Sequence, residues 1–190
     1  MLDEAGVPAG VVNLVTAENP EPVGDEFLTN PLVGKITFTG SPSVGLVGIR
    51  VLAENRERFK RLVVANTGLP TGDGKPTEAF LRWQQFSQQS PRFDIGTIIA
   101  NGCAERPGPE VIAAYDAPFP DDTYKEGARI FPSLVPTSPD DPAAEANRKA
   151  WESLFAWDGK VLCAFSDKDP VTAGGDRPFL KLPGAEGQAH

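Results

Sequence analysis

Histidine is almost absent from this chain of 190 residues: its single histidine is His190, the last residue. Metal sites built on two or three histidines are therefore excluded, and a Ser-His-Asp triad would have to use a terminal side chain, a position that is usually mobile. Cysteine is scarce as well, because Cys103 and Cys163 are the only two and lie far apart in the sequence. That spacing argues against a disulfide framework or a thiolate zinc site, and we expect a cytoplasmic protein.

Long apolar runs and an excess of basic residues are also missing. No run reaches the length of a membrane-spanning helix, and residues 1–4 have neither the basic nor the apolar region of a signal peptide. Lysine and arginine number 18 against 26 aspartates and glutamates, so the net charge is −8 and the pI is about 4.7. Because an acidic surface repels phosphate backbones and anionic lipids, we expect no nucleic-acid or membrane partner.

The apolar pattern predicts an α/β fold. Short β-branched runs indicate strands, and apolar residues spaced three and four apart indicate helices. Proline and glycine cluster between residues 68 and 142, which predicts many loops there. A polar loop, residues 166–170, follows the last strand, and functional groups of open α/β sheets lie at such carboxyl ends. We expect parallel strands at 35–39, 61–66 and 161–165, and helices at 23–30, 41–56, 76–90, 109–115 and 142–157.

From Gly45 onward the sequence resembles haloalkane dehalogenases, enzymes of the α/β-hydrolase fold. The resemblance covers about 145 of the 190 residues. It implies an incomplete α/β-hydrolase-like parallel sheet with a helical cap inserted over residues of about 70–140. The matching segments are Gly45–Arg50, Arg58–Pro70, Ala114–Pro120, Arg129–Pro136, Phe165–Pro170 and Pro183–Gln188.

In that family an aspartate displaces halide by SN2 attack, a histidine activates water against the resulting ester, and a second acid orients the histidine. Tryptophan N–H groups hold the departing halide. The resemblance assigns Trp83 to the halide site, Phe80 to a pocket wall one helical turn earlier, and Phe119 and Pro120 to the pocket lining. Without the resemblance, Phe80 and Trp83 would more often be core packing.

Asp169 matches the orienting acid of the family. It is preferred to Asp167 because it precedes Pro170 at the end of the strand. The alternative for this Asp-x-Asp-Pro sequence is an ordinary turn.

The sequence departs from the family at the catalytic positions. Pro42 stands where the nucleophilic aspartate is expected, and Ser43 stands where the first halide tryptophan is expected. The base histidine and the oxyanion-hole strands have no counterpart, since His190 matches a non-catalytic neighbour of that histidine. The segment Gly40–Gly45 is one residue too long for a Gly-x-Ser-x-Gly nucleophile turn. We therefore predict a dehalogenase-like hydrolase without turnover.

Residues 4–45 resemble aldehyde dehydrogenases instead, and most of all succinate-semialdehyde dehydrogenases. The matching segments are Glu4–Val15, Leu28–Val33 and Lys35–Ser41. In that family the turn at Gly40 and Ser41 presents a helix N-terminus to the pyrophosphate of NAD. We therefore predict two parts, residues 1–45 and 45–190, and expect no cofactor unless the NAD site is functional.

Three functions follow from these patterns. We favour a haloalkane dehalogenase-like hydrolase that binds a small haloalkane-type ligand and is inactive. The alternatives are a binding module that self-associates through unpaired sheet edges, and a fragment of an oxidoreductase that binds NAD.

Overall fold

The computed structural model describes residues 21–33 and 42–188. The chain divides into two compact units, residues 1–37 and 38–190. In the first unit, α1 (Glu21–Thr29) is the short helix predicted over 23–30. The side chain of Asn30 ends it, because its amide donates to Glu26 and its oxygen accepts from the backbone N–H of Leu32. The predicted strand at 35–39 lies outside the described residues.

The second unit contains six α-helices and two strands within residues 42–188. Its predicted helices and the two predicted strands in this range are confirmed, with ends shifted by a few residues. The elements are α2 (Pro42–Glu54), β1 (Arg61–Val64), α3 (Glu78–Gln89), α4 (Ile95–Gly102), α5 (Pro109–Asp116), α6 (Glu126–Ile130), α7 (Ala144–Phe155) and β2 (Lys160–Cys163). Short 3-10 turns lie at Arg56–Arg58, Asp122–Lys125, Phe131–Leu134, Phe179–Lys181 and Pro183–Ala185.

Strands β1 and β2 pair in parallel, as predicted, with Arg61 beside Lys160 and Val64 beside Cys163. Successive side chains alternate between the two faces of a strand. Val64, Val161 and Cys163 are buried on the inner face. The paired residues Val63 and Leu162 point to the other face and are 62% and 40% exposed.

The core covers the inner face of this sheet. Helices α2 and α7 pack together there, and the two 3-10 turns near residues 180 and 184 close one side. Full burial of one large apolar side chain contributes roughly 1.5–3 kcal/mol, so this cluster supplies much of the driving force of the unit. The most deeply buried apolar members are Ile49, Leu52, Val64, Leu154, Val161, Phe179 and Leu182.

Helix α7 is the amphipathic helix predicted over 142–157. Its buried face follows Ala144, Asn147, Ala150 and Leu154, at intervals of three and four residues. Phe155 is 48% exposed because it lies one position past that stripe. Hydrogen bonds also tie α7 to α2, since the hydroxyl of Ser153 donates to the carbonyl of Ala53.

Helices α3 to α6 lie within residues 70–140, the range predicted as a cap. Helices α3 and α5 were predicted, whereas α4 and α6 were not. Helix α4 contains two glycines and three isoleucines, which have low intrinsic helix propensity. It forms against α5, where a Cβ on Gly96 would lie 2.3 Å from the carbonyl oxygen of Ile112. The backbone N–H of Gly96 donates to Asp116 at 2.7 Å.

None of the helices in residues 21–33 and 42–188 is long and apolar enough to cross a bilayer.

Candidate functional site

The carboxyl ends of β1 and β2 are joined by a side-chain hydrogen bond. The amide of Asn66 donates to the Asp169 carboxylate at 2.7 Å, and its oxygen accepts from the backbone N–H of Ser166 at 3.1 Å. Asn66 has a φ of 45°, a left-handed conformation that asparagine adopts more readily than most residues. One side chain therefore fixes the loop that follows β2 to the end of β1.

Asp169 is held as an oriented carboxylate. Burial raises its pKa, but hydrogen bonds from Thr172, Asn66 and the backbone N–H of Val171 outweigh burial, so the pKa lies below the ordinary value. The Thr172 hydroxyl donates at 2.5 Å and the Val171 N–H at 2.9 Å. The group is therefore ionised near neutral pH and acts only as an acceptor.

A pocket of about 420 Å³ opens beside these strand ends, and we call it the strand-end pocket. Its volume lies in the range of small-molecule sites, and its walls are mostly apolar with several threonine hydroxyls. The lining residues are Leu46, Thr67, Leu69, Thr71, Thr77, Phe80, Val135, Trp151, Val171, Thr172 and Phe179, together with Lys75, Pro136, the glycines and prolines of residues 68–76, and Ala173, Gly174, Gly175 and Pro178.

Helix α3 is anchored to this pocket at its first residue. Thr77 caps the helix, because its hydroxyl oxygen accepts from the backbone N–H of Phe80 at 3.1 Å. The same hydroxyl donates to the carbonyl of Val171 at 3.2 Å. The first turn of α3, and with it the buried ring of Phe80, is thereby joined to the loop that carries Asp169.

Helix α7 supplies the opposite wall. The indole N–H of Trp151 donates to the carbonyl of Leu69 at 2.7 Å, and the amide of Asn147 donates to the carbonyl of Pro70 at 2.7 Å. The Trp151 ring packs on the Phe179 ring with centroids 4.9 Å apart. These contacts fix the segment after β1 and leave the indole N–H of Trp151 already bonded.

The residues predicted for the site fall into two groups. Phe80 lines the strand-end pocket, and Asp169 lies outside the lining, two residues before the lining residue Val171. Trp83 is half-buried outside the lining and stacks on Phe86 and Phe93, with ring centroids 5.9 and 6.0 Å away.

Two further predicted positions also lie outside the lining. Phe119 is half-buried and Pro120 is exposed. Gly40 and Ser41, predicted to contact NAD, lie outside the described residues. The halide, pocket, triad and cofactor roles assigned to all these residues remain predictions.

Several residues of the site were missed in the sequence. Asn66 and Thr67 lie at the end of the strand predicted over 61–66, so the strand-end rule that drew attention to residues 166–170 applied equally to them. Trp151 lies in the helix predicted over 142–157 and Thr77 in the helix predicted over 76–90, but neither was assigned to the site. A threonine three residues before a buried phenylalanine at a helix start is a capping signal that could have identified Thr77.

No cluster of three histidine, cysteine, aspartate or glutamate side chains suited to a metal ion occurs in the described part of the chain.

Comparison with known proteins confirms both predicted resemblances. A haloalkane dehalogenase of Psychrobacter cryohalolentis is 55% identical over 147 residues, which are 77% of this chain and 48% of that protein. The solved tetrameric structure of a haloalkane dehalogenase from Paraglaciecola agarilytica NO2 superimposes with a TM-score of 0.64 at 30% identity. It covers 73% of this chain and 46% of that one. The chain thus spans about half the length of the dehalogenases it matches, which agrees with an incomplete α/β-hydrolase-like fold.

The other resemblance concerns the first part of the chain. A profile of the Aldehyde dehydrogenase family matches residues 1–70. The NADP(+) succinate-semialdehyde dehydrogenase 1 of Schizosaccharomyces pombe is 53% identical over 47 residues, 25% of this chain and 9% of that protein. The profile runs past residue 45, so the two likenesses overlap on α2 and β1.

We predict that Asp169→Asn lowers the free energy of unfolding by roughly 1–3 kcal/mol at neutral pH, because an amide cannot accept all the hydrogen bonds made to the carboxylate. Because the folded-state pKa of Asp169 is lowered, the stabilisation is present above the ordinary carboxyl pKa of 3.8 and is lost as pH falls through the folded pKa. Urea unfolding at neutral and acid pH should show the two proteins converging in acid.

The matched control is Asp167→Asn, an exposed aspartate two residues earlier in the same loop. It should change the free energy of unfolding little at either pH. Equal losses for the two variants would contradict the role assigned to Asp169.

Proposed function

We propose, from the likeness of this chain to haloalkane dehalogenases, that the strand-end pocket binds a small haloalkane-type ligand and that the chain does not cleave the carbon–halogen bond. In the reaction class concerned, hydrolysis converts a haloalkane to an alcohol and halide. The observation that carries the proposal is a mostly apolar pocket of about 420 Å³ at the carboxyl ends of two parallel strands.

The pocket walls suit an apolar chain. Phe80 and Leu69 are buried and line the pocket, and Trp151 adds an aromatic wall. An alkyl chain placed there moves from water to a mostly apolar surface, and each buried methylene contributes about 0.8 kcal/mol. Binding of an apolar ligand therefore needs none of the catalytic groups.

Two observations support the absence of turnover. The position of the family's nucleophilic aspartate is occupied by Pro42, the first residue of α2, and a prolyl ring has no atom able to displace halide. The indole N–H of Trp151 is bonded to the carbonyl of Leu69, and Trp83 lies outside the pocket lining. A departing halide in the described pocket would thus meet no indole donor.

A variant that fills the pocket tests the binding proposal. A Cβ built on Gly68 meets nothing closer than 3.8 Å, so Gly68→Leu places a larger side chain in the lining without a forced clash. We expect it to weaken the binding of bromohexane at least several-fold, measured by ligand-observed NMR on the full chain. The matched control is Gly102→Leu, at the end of α4, where a Cβ also has open space.

Thermal unfolding of both variants would establish that they remain folded. The proposal fails if the unmodified chain shows no saturable binding of bromohexane, or if both leucine variants bind it as the unmodified chain does.

We also propose self-association, through the exposed outer face of the two-stranded sheet rather than through the unpaired sheet edges expected from the sequence. Val63 and Leu162 are cross-strand neighbours on this face and are 62% and 40% exposed. Adjacent exposed apolar residues on a short sheet favour contact with another chain. The tetrameric assembly of the Paraglaciecola agarilytica dehalogenase is compatible with association but does not specify this surface.

Sedimentation velocity over a range of concentrations tests this second proposal. We expect Val63→Lys to shift the population toward monomers, because a charge would be buried in the contact. Val111→Lys, at an exposed valine of α5, should leave the distribution unchanged. A distribution that is unaffected by Val63→Lys, or a monomer at all concentrations, would contradict the proposal.

A further inference from the structure

We propose that the strand-end pocket prefers a ligand whose apolar chain ends in a carboxylate, with Lys75 binding that carboxylate at the rim. The inference rests on the proposed function, because it specifies the chemical class of ligand for the same pocket. It begins from the charge of the lining. Among the described residues that line the pocket, Lys75 is the only one that carries a charge.

Lys75 has no ionic partner within the described residues. The acidic side chains nearest to it in sequence are already paired. The Asp73 carboxylate accepts a hydrogen bond from the Arg148 guanidinium at 3.0 Å, and this hydrogen bond lowers the pKa of Asp73. Glu78 pairs with Arg82 at 4.0 Å on the outer side of α3. The Lys75 ammonium therefore has no ion-pair partner among the described residues, and no other residue of the pocket lining carries a charge.

The acid of the site does not cancel this charge. The Asp169 carboxylate already accepts from Asn66, Thr172 and the backbone of Val171, and it lies outside the pocket lining. The negative charge of Asp169 is therefore stabilised by hydrogen bonds from its own loop and from Asn66 at the end of β1.

The backbone on both sides of Lys75 is fixed. Gly72 has a φ of 77°, and a Cβ there would lie 2.0 Å from the carbonyl oxygen of Ser138, so only glycine fits this close contact. Arg148 also donates to the carbonyl of Thr71 at 3.3 Å. On the other side, Thr77 is bonded to Val171. The backbone that carries the Lys75 side chain is therefore held in place at the pocket.

The N-terminal end of α3 adds to the positive potential. This helix of 12 residues begins at Glu78, three residues after Lys75. The positive end of its dipole lies next to Thr77, which lines the pocket. In a chain of net charge −8, a local positive site of this kind would orient an anionic ligand with its carboxylate outward and its alkyl chain inward.

The test compares two ligands that differ by one carboxylate, bromohexane and bromohexanoate with the bromine at the far end of the chain. Their dissociation constants for the full chain are measured by ligand-observed NMR at low salt. We expect bromohexanoate to bind roughly two- to fivefold more tightly, the range of an exposed ion pair. Raising the salt concentration should reduce that preference, because the rim is open to solvent.

Lys75→Gln should remove the preference for bromohexanoate, whereas Lys75→Arg should retain it. The matched control is Lys149→Gln, which makes the same change in net charge on α7, at a lysine that pairs with Glu145 at 3.6 Å outside the pocket lining. It should keep the full preference.

The outcomes distinguish the role of Lys75 from the binding of haloalkanes in the pocket. If bromohexane binds and bromohexanoate binds no better, or if Lys75→Gln and Lys149→Gln reduce the preference equally, the role of Lys75 is refuted while the pocket function stands. If neither ligand binds, both are refuted.

Discussion

The hydrogen bond between Asn66 and Asp169 is the constraint on which the described site depends. It joins the carboxyl ends of the two paired strands at 2.7 Å, and the loop after β2 takes its course from that point. The same loop then holds Thr77 through the carbonyl of Val171, which sets where α3 begins. A contact between two polar side chains therefore positions a wall of the pocket that neither of them forms.

The same residues and helices form the core and the wall of the strand-end pocket. Helix α7 buries Leu154 completely against the core and, on the preceding turn, places Trp151 in the pocket wall. Phe179 serves both, since it is fully buried and packs on the Trp151 ring. Because interiors are closely packed, a loss of volume in the core would move the pocket walls as well. The pocket is thus as rigid as the small sheet and the two helices behind it.

The elements that could be predicted from the sequence are those whose apolar spacing matches the face that they bury in the fold. The apolar spacing of α7 and the β-branched run of β1 each identify their element, and their parallel pairing was predicted as well. Helix α4 could not be predicted in this way, because its isoleucines and glycines disfavour a helix that packing of Gly96 against α5 makes possible. Of the candidate site, Phe80 and Asp169 were named from the family resemblance, and their roles remain predictions. Lys75 and Trp151 were not named, because lining a pocket depends on contacts between segments far apart in the chain.

Two likenesses meet on α2, the helix that begins at Pro42 where the dehalogenase nucleophile is expected. Binding without turnover is the central claim, and bromide release from bromohexane by the full chain tests it most directly. We predict no release above the background of buffer, and a Pro42→Asp, Ser43→Trp variant measured alongside shows whether these two groups alone restore any. Sustained release by the unmodified chain would contradict the claim, because it would require a nucleophile elsewhere in the pocket.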